Sequence, residues 1–97
     1  MNTEISCSSD NLEKVTQVLK TLTVQDKIEI IPKKGKKREF LISDEFHDGY
    51  IFIKSARKQA LSTTRGGHVR VASNGVLYQP TMLTPVEWVE SIRILSA

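Results

Sequence analysis

Apolar residues recur along this chain first at the period of a helix and then, from Lys27 onward, at the period of a strand. Between Asp10 and Leu22 the residues Leu12, Val15, Leu19 and Leu22 fall three or four apart, Val18 widens the stripe, and Glu13, Lys14, Gln17 and Lys20 lie opposite. That spacing predicts a helix over about 10–22, with Asp10 and Glu13 in the positions of a capping box. An apolar stripe of this width is expected to pack on the protein's own sheet rather than on a partner. Strand-like alternation follows in KIEIIP, where Ile28 and Ile30 share a face until Pro32 stops the run, and in REFLIS, where Phe40 and Ile42 oppose Leu41. GYIFIKS comes after an Asp48-Gly49 turn signal, and HVRVAS and VLYQP flank Asn74-Gly75. Asn-Gly between alternating strands predicts a two-residue type I′ turn, with Ser73 opposite Val76, Val71 opposite Tyr78 and Arg70 opposite Gln79.

At the C-terminus, LTPVEWVESIRIL places Thr84, Pro85 and Glu87 at the cap, first and third positions of a helix over about 85–95. Trp88, Ile92 and Leu95 would share its buried face, with Val89 beside them. A period-two pattern through Val86, Trp88, Ile92 and Ile94 competes, and the cap residues favour the helix. The fold class expected is α+β: about five mostly antiparallel strands in a curved sheet or small barrel, with an N-terminal and a C-terminal helix. A barrel of this size would be of the SH3-like or OB kind. Residues 1–97 are expected to form a single domain, with 1–8 a flexible N-terminus.

Composition narrows the class without naming a chemistry. With 97 residues, 39% of them hydrophobic and 26% charged, the chain can bury one modest core without staples. Its single cysteine, Cys7, allows no internal disulfide and has no histidine near it in sequence, which fits a reducing, cytoplasmic setting and gives no support for catalysis. The N-terminus lacks the pattern of a signal peptide, and no apolar run is long enough to span a bilayer, so no membrane role is expected.

Net charge is +3, and its distribution is uneven. The cluster KKGKKR carries five basic residues within six positions, but nearby acids offset it. Residues 49–74 carry Lys54, Arg57, Lys58, Arg65 and Arg70 with no acid at all. The excursion from Lys54 to Arg70 joins these cations to hydroxyls (Ser62, Thr63, Thr64) and to Gly66-Gly67, all of which suit phosphate. It matches neither a P-loop nor a dinucleotide fingerprint, so no nucleotide cofactor is indicated. The candidate polyanion-binding residues are Lys54, Arg57, Lys58, Thr63, Thr64, Arg65, His68 and Arg70. Lys33, Lys34, Lys36 and Lys37 are accessory contacts at a hairpin tip.

Alternation also bears on the sheet. If Ile51 and Ile53 point to the core, Tyr50 and Phe52 share the opposite face with Lys54, His68 and Arg70. Aromatic and basic side chains interleaved on an open sheet form a stacking platform for single-stranded nucleic acid. The C-terminal helix is the favoured cover for this face, which would leave Tyr50 and Phe52 as core. The acidic loop SDEFHDG offers carboxylates and His47, but its spacing matches no calcium or zinc site, and turn residues explain it. No metal is therefore expected, and no catalytic residue is assigned. A non-enzymatic module binding RNA, DNA or another polyanion comes first. A homodimeric interaction protein pairing through a strand edge or the Trp88 helix comes second, and a small metal-independent ribonuclease using the histidines third.

Overall fold

A computed structural model of the chain describes residues 3–56 and 66–95. Among these residues the strands are β1 (Thr3–Ser6), β2 (Lys27–Pro32), β3 (Arg38–Ile42), β4 (Tyr50–Ser55), β5 (Gly66–Ala72), β6 (Gly75–Thr81) and β7 (Glu87–Leu95). The one α-helix among them, α1 (Leu12–Lys20), lies between β1 and β2 and follows a single 3-10 turn at Ser9–Asn11. The molecule is thus mainly antiparallel sheet, and the expected α+β arrangement of two helices and about five strands does not form. Thr3–Ser6, expected within a flexible N-terminus, pair with β7 and bury Ile5.

Strands β2 to β6 run as an up-and-down meander, and β7 pairs antiparallel with both β6 and β2. An even number of strands lets antiparallel pairing return to its start, so β2 to β7 close into a barrel. Alternate residues point inward: Ile28 and Ile30, Phe40 and Ile42, Ile51 and Ile53, Val69, Val76 and Tyr78 are all buried. β6 meets β7 only at Leu77–Trp88 and Tyr78–Glu87, and beyond these pairs β1 takes that edge of β7. The helix follows β1 and packs against β5, carrying Val15 and Leu19 into the core.

The expected C-terminal helix is β7 instead. Pro32 pairs with Val89 and Ile31 with Ser91, so Glu90 is an extra residue on β7 and forms a bulge. A bulge shifts the inward face by one residue, which lets Val89 and Ile92 both point to the core at 0% exposure. Their spacing of three therefore imitates a helix. Thr84 does not cap one: its hydroxyl accepts from the Thr81 amide at 3.0 Å and donates to the Thr81 carbonyl at 3.0 Å, closing a turn before β7.

The N-terminal helix starts later than Asp10. Asp10 accepts the Ser8 hydroxyl, and the Asn11 side chain donates to the Ser6 carbonyl at 2.7 Å. The β5–β6 hairpin forms, but Ala72 pairs with Gly75 and Val71 with Val76, two residues away from the expected register. A shift of two keeps every side chain on its expected face. The positive-φ turn lies at Asp48 and Gly49 (φ 51° and 83°), where His47 and Tyr50 exchange backbone hydrogen bonds of 2.8 and 3.0 Å.

Up-and-down strands send their connections alternately to the two ends. The β2–β3 and β6–β7 connections share one end with the last residue of β4 and the first of β5, and the β3–β4 and β5–β6 connections share the other. No helix among the described residues is long and apolar enough to cross a membrane.

Candidate nucleic-acid interface

Because Ile51 and Ile53 fill the barrel, Tyr50, Phe52 and Lys54 must stand on the outside of β4. The same alternation on β5, with Val69 inward, places His68 and Arg70 outside. Register then joins the two strands: Phe52 lies opposite His68, and Tyr50 opposite Arg70. The His68 ring meets Tyr50 edge-on with centroids 5.3 Å apart and Phe52 at 6.5 Å, so three rings form one cluster. Phe52 is 44% exposed, and the expected helical cover does not exist.

His68 titrates below the ordinary histidine range, first because its ring is partly buried and second because the Arg70 guanidinium repels a second positive charge. At neutral pH it is an uncharged aromatic, and the positive charge of this face comes from Arg70 and Lys54. Across β5 the pattern continues onto β6, where Gln79 faces His68 and Leu77 faces Arg70. Leu77 in turn faces Trp88 on β7. The Trp88 ring lies over Gly75, where a Cβ would come 2.7 Å from its Cζ3, and the side chain remains 40% exposed.

The basic hairpin KKGKKR approaches the same region. Its backbone amide at Lys33 donates to the Trp88 carbonyl at 3.1 Å, and Lys33 Nζ sits 5.8 Å from the centre of the indole. Lys34, Lys36 and Lys37 are exposed beside it, with Lys37 Nζ 4.0 Å from a Glu29 carboxylate oxygen. Gly35 makes the turn at φ 101°.

Of the residues singled out in the sequence, Tyr50, Phe52, Lys54, His68 and Arg70 come together on one face. Lys33 lies near the far side of that face, next to Trp88. Arg57, Lys58, Thr63, Thr64 and Arg65 lie outside the described residues. Gly67 lies tight against the neighbouring strand. A Cβ on Gly67 would fall 1.4 Å from the Gln79 carbonyl oxygen, so its close approach is to β6.

The acidic loop is occupied by its own turn chemistry: Asp44 accepts the Glu45 amide at 2.8 Å, and His47 pairs with Asp48 at 3.1 Å. Cys7 is buried among apolar groups, and burial, then the Glu90 carboxylate, push its thiol up to about 12, so it is no nucleophile at neutral pH. Trp88 belongs to both C-terminal sequence patterns, and neither places it here: the helix is absent, and the Glu90 bulge separates Trp88, outside, from Ile92, inside. No protein-family model, curated protein or solved structure matches this chain.

Proposed function

We propose that this protein is a non-enzymatic module that binds single-stranded nucleic acid on the outer face of β4 and β5. One observation carries this reading: Tyr50, Phe52 and His68 form one aromatic cluster on the outer face of the barrel, Phe52 exposed and the other two half-buried, flanked by Arg70 and Lys54. Unpaired bases stack on such rings, while the cations neutralise the phosphates that follow. Paired bases in a duplex keep their faces stacked on one another, so the cluster selects single strands. Neutral His68 contributes a ring rather than a charge. A cytoplasmic setting belongs to the same reading, because Cys7 is a free, buried thiol.

Fluorescence anisotropy of a labelled oligouridylate, with heparin as a base-free competitor, tests it. Phe52→Ala is expected to weaken binding by about 1–3 kcal/mol, the usual worth of one stacked base. Arg70→Gln should also weaken binding and reduce its salt dependence by about one phosphate contact. Absence of binding at low salt would sink the proposal. So would binding that Phe52→Ala leaves untouched and that heparin matches, since that pattern marks charge without stacking.

A further inference from the structure

From the row of outward residues that crosses the barrel, we infer that Trp88 is a second stacking station for the same nucleic-acid strand, which crosses β4 to β7 rather than following one of them. This rests on the proposed binding face. Tyr50 faces Arg70, Arg70 faces Leu77 and Leu77 faces Trp88, so one transverse row has an aromatic ring at each end and a cation between. Three strand spacings separate the ends, about 14 Å along the surface. Even at the compact spacing of a stacked strand, about 3.4 Å per nucleotide, an octanucleotide is longer than that distance, whereas a dinucleotide is too short to reach both ends.

The structure around Trp88 suits this role. Gly75 is the residue beneath the ring, and any side chain there would displace the indole from the barrel wall. Seating a large apolar ring against a glycine while leaving it 40% exposed gives a flat surface for a base. At 5.8 Å, Lys33 sits near the outer limit of a cation–π contact, and its exposed ammonium is in reach of a phosphate next to a stacked base. Leu77 forms an apolar floor between the stations, and Arg70 takes a phosphate on the way.

Trp88 is the single tryptophan of the chain, so its emission reports on this station alone. The experiment measures that emission together with the anisotropy of labelled oligouridylates, a dinucleotide and an octanucleotide. The octanucleotide is expected to quench Trp88 with the same midpoint as the anisotropy change. Trp88→Ala should weaken the octanucleotide by between about five- and a hundredfold and leave the dinucleotide unaffected, and Trp88→Phe should restore most of the loss. Circular dichroism confirms that each variant keeps its sheet. If the octanucleotide binds in a Phe52-dependent way while Trp88 emission stays constant, the second station is wrong and the first face stands. If neither oligonucleotide binds, the face and the station fall together.

Discussion

At the scale of single residues, glycine sets how closely neighbouring strands of this barrel can approach. Gly67 lets β5 and β6 approach so nearly that a methyl group would overlap the backbone of Gln79 and Pro80. Backbone on both sides leaves no flexible neighbour to yield. Gly67→Ala is therefore expected to cost at least about 4 kcal/mol, in the range reserved for overpacked or strained sites. A small domain holds only about 5–15 kcal/mol in total, so the variant should unfold at much lower urea or fail to fold. A shift of midpoint comparable to that of an exposed Ala substitution would contradict this account of the β5–β6 contact. Gly75 works differently, because the atom above it is the edge of the Trp88 ring, a side chain that can turn away. One glycine serves the backbone and the other serves the candidate site.

At the scale of elements, β7 holds the fold together, since it touches β1, β2 and β6. Arg93 on β7 faces Glu4 on β1 and Glu29 on β2, with Nη2 2.9 Å from the Glu4 carboxylate and Nη1 3.1 Å from Glu29 Oε1. The Glu29 side chain is only 8% exposed, and Arg93 lies closer to it than Lys37 does, at 3.1 against 4.0 Å. Arg93→Ala should cost roughly 3 kcal/mol by stranding a buried carboxylate, and adding Glu29→Gln should recover part of the loss in chemical denaturation. Equal stability of Arg93→Ala and wild type would remove this pair from the account.

The meander was legible because Ile28, Ile30, Phe40, Ile42, Ile51 and Ile53 alternate without interruption. β7 was not, because the Glu90 bulge resets the alternation and Thr84-Pro85 closes a turn with the same residues that open helices. The β5–β6 hairpin was legible, but its register was not. Gly75 is needed under an indole from a distant strand, and that requirement is invisible locally. Likewise, alternation placed Tyr50, Phe52 and His68 together, whereas Trp88 joins their row only through pairings of β6 with β7.

At the scale of the whole molecule, the up-and-down order separates charge between the two ends. Lys33, Lys34, Lys36, Lys37 and Arg38 lie at one end, and Asp44, Glu45 and Asp48 at the other. Such a distribution draws a polyanion toward the basic end, which β4 reaches at Lys54, while Arg70, opposite Tyr50, provides the positive charge nearer the acidic loop. The most direct measurement is chemical-shift mapping of the backbone amides and the Trp88 indole as unlabelled oligouridylate is added. Shifts should concentrate on β4 and β5 at Tyr50, Phe52, His68 and Arg70 and extend to Trp88 and Lys33, with smaller shifts in the acidic β3–β4 loop that adjoins Tyr50. Shifts confined to that loop or to α1, or none at concentrations where other single-strand binders saturate, would contradict the account.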